Sequence, residues 1–415
     1  MISIPCNNRI KLEAPLKCDI HLVFKVDEKK CVQQIISSLT KKVLGLHLKL
    51  SHDSSTLHYI NENPPIYKMQ NFKDLEKASI FYSKKHKNDP YTRFGSIGYN
   101  DNMVLLSVSH SFGDGGYLKY IADNILDDSN IYIPSHFPYE MQDIFKERFE
   151  KAPNNIPFWA NNDKVIRIET NDQSKLHPAT DVCYSTVKIP SKNLQCYDSK
   201  TKKLHSFTDS LWTSYLISSI AHNKNRNSLE IPKCFSIPTC VDFRRYLPNQ
   251  NYSTCSMFSA VFPEAPISPK MSLQEIGKAM KIDLKKRMEK GEDFGILKSS
   301  GSIENLKKKV FLQLSYMGSI HIERPITDVF VGLSMDAVQA ESMLLLMGFS
   351  SIMKPSLPNE EEKNDVFLRL RYSPTTLYKD EVDQMMKNIE YVLTKIPIET
   401  SIEEAVKAVS SFNYN

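Results

Sequence analysis

Six consecutive residues, His110-Ser111-Phe112-Gly113-Asp114-Gly115, place an imidazole four positions before a carboxylate, with small residues around both. Histidine is the side chain whose charge changes near neutral pH, so it can take a proton from an attacking hydroxyl or amine and return it to a leaving group. The residues Met103 to Ser109 are almost continuously apolar, which sets His110 at the end of a buried strand. A strand end holds a side chain rigidly, and the glycines after it let a substrate approach the ring. The same residues also fit a second reading, in which His110 is a satisfied core histidine and Asp114 caps a helix beginning near Gly116.

The four-residue spacing is cheap, because His205-Ser206-Phe207-Thr208-Asp209 repeats it. No buried strand precedes that copy and no glycine follows it. Ser206 and Asp209 there read as a capping-box-like pair opening a helix through Leu211, Trp212, Leu216 and Ile217. Strand context and Gly115 single out His110.

The elements around the motif follow from hydrophobic period. Ile20 to Val26 reads as a strand, then a helix capped by Asp27 with Val32, Ile35, Ile36, Leu39 and Val43 on one face. Strand-like runs at Leu46–Leu50 and Leu57–Ile60 lead to a break at Pro64-Pro65. Phe94–Tyr99, the Asn100-Asp101 turn and Met103–His110 form a hairpin, and Tyr117–Leu126 resumes at helical spacing. Residues 130–180, rich in Pro, Asn and Asp around Phe158-Trp159, read as a linker. Beyond it the pattern predicts strands at Cys183–Ile189, Cys234–Thr239, Met257–Phe262, Thr327–Leu333 and Val366–Tyr372. It predicts an amphipathic helix at Ser206–Ala221 and helices at Leu273–Glu289 and Lys379–Thr394, while Met343–Met353 fits a buried strand or helix. The alternation gives an α/β (α+β) protein with an N-terminal domain over 1–160, a linker over 161–180 and a C-terminal domain over 181–415.

Composition narrows the classes. The 415 residues exceed one ordinary core, and 41% apolar with 24% charged residues is globular usage. The basic clusters Lys84-Lys85-His86-Lys87, Lys285-Lys286-Arg287 and Lys307-Lys308-Lys309 lie apart without interleaved aromatics, so no nucleic-acid partner is expected. The eight cysteines form no CxxC pair, so no metal site is expected and a reducing, cytoplasmic setting is. Met1 to Lys17 is too polar for a signal peptide, and no apolar run is long enough for a transmembrane segment.

The stretch VSHSFGDGGYL resembles the active-site signature of the HxxxD acyltransferase superfamily, which includes chloramphenicol acetyltransferases, alcohol acetyltransferases, BAHD enzymes and condensation domains. SFTDSLWTSYLISSI and VDFRRYLP are similar to later segments of that family, and FLRLRY followed by DEVDQMMKNIEYVL to its terminal strand–helix pair. The resemblance implies two chloramphenicol-acetyltransferase-like domains with an active-site tunnel between them. It implies His110 as general base, Asp114 as a structural carboxylate and Arg244 as its partner, with Asp242 and Arg245 read as exposed strand-end charges. It further implies acyl-CoA, chiefly acetyl-CoA, as co-substrate, a small alcohol or amine acceptor, no covalently bound cofactor and a monomer. Gly115 and Ser334 are the substrate-binding candidates, Ser334 as an oxyanion donor in a reduced Val331-Gly332-Leu333-Ser334 segment. The DFGWG segment of BAHD enzymes is absent, Cys255-Ser256-Met257-Phe258 stands where Gly-Asn is frequent, and Ser109 replaces the first histidine of condensation domains. The alcohol acetyltransferases match best. The alternatives are a scaffold of this fold without turnover and a carrier-protein-dependent condensation-type enzyme.

Overall fold

The computed structural model describes residues 3–6, 8–127, 141–154, 166–171, 182–226, 231, 233–247, 256–298, 311–334, 343–355 and 362–412. Phe158-Trp159, Cys255, Lys307-Lys308-Lys309 and most of the 161–180 linker lie outside the described residues. Two sheets organise the molecule. Their strands are β1 (Asp19–Val26), β2 (Ile66–Lys68), β3 (Gly95–Tyr99), β4 (Met103–Ser109), β5 (Cys183–Pro190), β6 (Thr239–Asp242), β7 (Phe258–Val261), β8 (Phe311–Ile322), β9 (Ile326–Ser334), β10 (Met343–Met353) and β11 (Lys363–Tyr372). The principal helices are α1 (Lys29–Lys42), α2 (Leu75–Lys85), α3 (Gly115–Asn124), α4 (Phe207–Asn225), α5 (Leu273–Glu289), α6 (Lys379–Lys395) and α7 (Ile402–Phe412).

The first sheet has the order β9-β1-β4-β3-β2, and the second β7-β6-β8-β10-β11-β5. β4 lies inside its sheet and every one of its residues is buried, as its apolar run requires. Strand β9 comes from the C-terminal half, yet it pairs antiparallel with β1 from Ile326 opposite Val26 to Ser334 opposite Asp19. The division at 161–180 therefore does not separate the two sheets. Met343–Met353 resolves as strand β10, paired with β8 on one side and β11 on the other.

Several local expectations are corrected. Asp27 does not cap α1: its carboxylate pairs with Arg324 and its N–H donates to Pro325 O, so the β9 side of the sheet holds it. The strand expected over Cys234–Thr239 breaks at Ile237-Pro238, because proline supplies no N–H to a ladder. Helix α4 is not amphipathic. It is buried on nearly every side, with Ser214, Ser218 and Ser219 among its inward residues. Ser206 adopts a left-handed backbone (φ 51°) and makes no side-chain cap, so the expected capping box is absent. The chain also continues past α6 into α7, opened by Ser401 and Glu404, each of which accepts from the other's backbone N–H.

Helix α2 covers the outer face of the first sheet, with Ala78 and Tyr82 on Val23, Met103 and Phe330. Its Glu76 reaches the second sheet, where Arg369 pairs with it at 3.1 Å and stacks on Tyr184 at 3.6 Å. Helix α3 is tied at its far end by Lys42, a 2% exposed lysine whose Nζ donates to the carbonyls of Asn124, Ile125 and Asp127. A cation at these carbonyls complements the negative end of the helix.

A buried polar chain runs behind β4. Tyr82 donates to Ser96, Ser96 to Asn88, and Asn88 both to Ser107 and, through its N–H, to Asp19. Burial pushes the Asp19 carboxyl up to about 7, against the opposing pull of the Asn88 hydrogen bonds and of Lys87. The folded value lies above the ordinary 3.8, so this group favours the fold fully below about pH 4, and that contribution is lost as pH rises through about 7. Asp19→Asn should therefore gain stability relative to the native chain between those pH values, by up to about 4 kcal/mol at ~1.36 kcal/mol per pH unit. Denaturant melts from pH 4 to 8 check this, and parallel curves for the two proteins would refute it.

Candidate active site

The loop carrying His110 is held from three sides. Its own N–H donates to Cys18 O at 2.7 Å, just before β1. The N–H groups of Phe112 and Gly113 turn back to Ser109 O, and the Ser109 and Ser111 hydroxyls bond each other at 2.8 Å. Phe112 is buried under the loop against Phe94, with Gly45 so close that a Cβ there would lie 2.9 Å from the Phe112 ring.

Asp114 performs both of the roles open to it, because one carboxylate can accept several bonds. Oδ1 accepts from Tyr117 N at 2.7 Å, capping α3, and also receives Arg244 Nη1 at 2.8 Å. Oδ2 accepts from Met257 N at 2.6 Å. Asp114 and Arg244 are both about 2% exposed, so the pair is fully withdrawn from water. The packing here admits no side chain at Gly116, where a Cβ would stand 2.4 Å from both Arg244 Nη1 and Asp242 Oδ2. At Gly115 it would meet Met317 Sδ at 2.5 Å.

Between the sheets lies a cavity of about 120 Å³. The half-buried His110 ring forms part of its wall and packs on Phe258 at 5.2 Å between centroids. His110 Nδ1 is buried without a hydrogen-bond partner among the described residues, which leaves Nε2 as the nitrogen open to the cavity. Ile20, Val331 and Leu333 of the first sheet and Leu345 and Met347 of the second give one side of the wall an apolar surface. Gly115, Asp114 and Arg244 belong to the same wall.

One reading shifts. Ser334 stands at the end of β9 just past the lining residues Val331 to Leu333, whereas Ser315 and Gln313 of β8 do line the cavity. Their signal was the alternation Leu312, Gln313, Leu314, Ser315, with buried leucines on one face and polar residues on the other. Asp242 is the exposed strand-end charge it was read as, with a side chain 47% exposed at the end of β6, and it also lines the cavity and receives both Arg244 N at 2.9 Å and Arg244 Nη1 at 3.1 Å. Arg245 is exposed and lies along the Tyr246 ring. His205 sits on the surface, its side chain 62% exposed and 3.3 Å from Asp198. Among the described residues no group of three or more His, Cys, Asp or Glu is placed to hold a metal ion. None of their helices is long and apolar enough to cross a membrane.

No family model and no curated relative matches the sequence. Solved structures do match in fold. A trichothecene 15-O-acetyltransferase from Fusarium sporotrichioides aligns at 11% identity over 94% of this chain and 95% of that one, with a TM-score of 0.59. The epimerization domain of the third module of tyrocidine synthetase B aligns at 9% identity over 100% and 98%, with a TM-score of 0.62. The condensation domain of the Monacolin K polyketide synthase aligns at 10% over 97% and 99%, also at 0.62. The fold is thus the two-lobed α/β fold shared by chloramphenicol-acetyltransferase-like enzymes and condensation domains.

The buried pair makes a quantitative demand. Asp114→Ala and Arg244→Ala should each cost about 3–5 kcal/mol of folding free energy, since each removes one partner of a buried ion pair. The double variant should fall short of the sum by more than ~1 kcal/mol. Denaturant melting of the four proteins measures the coupling, and additive losses would show that the contact carries no energy of its own.

Proposed function

We propose that this chain is a CoA-dependent acyltransferase that moves an acyl group, chiefly acetyl, from acyl-CoA to a hydroxyl or amine of a small acceptor. The observation that carries the reading is the setting of His110. Its Nε2 opens on a cavity between the two sheets, on a loop tied by a buried ion pair to Arg244 of the C-terminal half of the chain. The likeness in fold to an acetyltransferase supports it.

In this mechanism His110 Nε2 accepts the acceptor's proton as its oxygen or nitrogen attacks the thioester carbonyl. The tetrahedral intermediate collapses, the C–S bond breaks, and the imidazolium returns the proton to the departing sulfur. No acyl-enzyme forms. Holding both substrates against one histidine supplies much of the rate through orientation. Ser315 and Gln313, as polar groups on the wall, are the donors available to the developing oxyanion. Asp114 and Arg244 act through the loop and touch no substrate. CoA serves as co-substrate, and the enzyme works as a cytoplasmic monomer. A carrier-bound donor would present the same thioester on the same pantetheine arm, and the two donors are separated by assay with acetyl-CoA alone.

His110→Ala is expected to lower CoA release in the presence of acceptors by ~10²–10⁴-fold, the usual contribution of a general base, with unchanged melting. His205→Ala is expected to leave it within about twofold, because surface substitutions away from a site change little. Thiol detection of free CoA with an acceptor panel reads both. Equal losses would end the assignment, and turnover absent from the native chain would leave the scaffold alternative.

A further inference from the structure

The cavity wall beside His110 carries an unbalanced charge. Among the described residues that line it, the ionisable side chains other than His110, Cys240 and Tyr316 are Asp114, Asp242 and Arg244. Arg244 Nη1 faces both carboxylates, at 2.8 Å from Asp114 and 3.1 Å from Asp242. Among these described residues, one guanidinium faces two carboxylates, which leaves one negative charge. Asp114 is buried, with both oxygens engaged. The remaining charge therefore falls to Asp242, whose side chain is 47% exposed.

The two oxygens of Asp242 are not equivalent. Arg244 N and Nη1 both donate to Oδ1, which serves the turn that follows β6. Oδ2 accepts no hydrogen bond among the described residues, and it stands over Gly116, where the backbone has no side chain to cover it. Burial holds the Asp242 carboxyl above the usual carboxylate range, with Arg244 pulling it down and Asp114 pushing it up. A cation beside Oδ2 would relieve that strain.

An aromatic ring completes the arrangement. Phe258 lies directly opposite Asp242 across the antiparallel β6–β7 pair, so both side chains rise from the same face. The same ring packs on His110. A carboxylate oxygen and an aromatic face next to a base are complementary to an ammonium group.

We infer that the acceptor carries a positively charged nitrogen, held by Asp242 Oδ2 and the Phe258 ring, a few bonds from the hydroxyl or neutral amine that His110 deprotonates. The inference rests on the acyltransferase reading and narrows it to amino alcohols and diamines. The charged nitrogen is not the nucleophile, for it has no lone pair. The reacting group gives its proton to His110 Nε2 and its lone pair to the new C–O or C–N bond, and the sulfur of CoA leaves with the proton from the imidazolium. An anionic acceptor would meet the uncompensated carboxylate.

The test uses the full chain, acetyl-CoA and matched acceptor pairs of two to six carbons, such as 5-amino-1-pentanol against 1-hexanol, in which ammonium replaces methyl. For at least one chain length kcat/KM should be about tenfold or more higher for the charged member, equivalent to ~1.4 kcal/mol. Asp242→Asn keeps an oxygen for the turn and removes the charge, and should bring the ratio close to one. Phe258→Leu should reduce it several-fold, and raising salt should reduce it in the native chain. Equal rates within every pair, or a ratio that survives Asp242→Asn, would overturn the inference while leaving the His110-dependent release of CoA standing. If no acceptor elicits CoA release, the acyltransferase reading fails, and equilibrium titration with the same pairs decides the binding claim. Tighter binding of the charged member, lost in Asp242→Asn, supports it, and equal binding overturns it.

Discussion

A carboxylate placed in the middle of a protein must find a positive partner or give up its charge. Asp114 finds Arg244, 2.8 Å away and from the far half of the chain, and much of the active region follows from that contact. The carboxylate caps α3 through Tyr117 N, so the helix start cannot move without breaking the pair. It also takes the N–H of Met257, which sets Phe258 beside His110. Lys42 closes the opposite end of the same helix. A helix fastened at both termini by buried charges of the favourable sign has little freedom to slide, and the loop before it inherits that rigidity.

Much of this was legible in the sequence, for physical reasons that differ from place to place. The β3–β4 hairpin showed itself because two buried apolar runs flank Asn100-Asp101, and α5 because Leu273, Ile276, Gly277 and Met280 share one face. The α2 helix stayed hidden: Ser79, Ser83 and Tyr82 on its inner side interrupt the apolar stripe, and the bonds of Tyr82 to Ser96 and of Ser79 to His21 are visible only once folded. Strand β8 carries both a core face and a cavity face, with an irregular register between Tyr316 and Ser319 at the left-handed Gly318, which blurs its period. The serine chosen as oxyanion donor depended on where β9 and β8 end relative to the cavity, a matter of three-dimensional register that spacing along the chain does not contain. The choice between helix cap and ion pair for Asp114 was open because the two are compatible. A carboxylate has enough lone pairs for both.

The polar groups of the interior divide by task. Behind β4, Tyr82, Ser96, Asn88 and Ser107 satisfy one another in a chain, and burial raises Asp19 toward neutrality at the end of it. In front of β4 the ionisable groups face one another instead: Asp114, Arg244 and Asp242 meet beside the cavity. The sheet between them is a low-dielectric partition, so the two populations are tuned separately.

The pairing of β1 with β9 has a consequence for biosynthesis. Asp27 and Arg324, which meet at one end of that pair, are 297 positions apart. At ~5–20 residues per second, a ribosome needs on the order of 15–60 s to pass from one to the other. Once β4 has been made it can cover one edge of β1, but the other edge has no strand to pair with until β9 is made. An apolar strand with a bare edge is a template for other nascent chains. The nascent chain therefore has a defined window in which a chaperone would be of use, and the window closes when β9 leaves the exit tunnel.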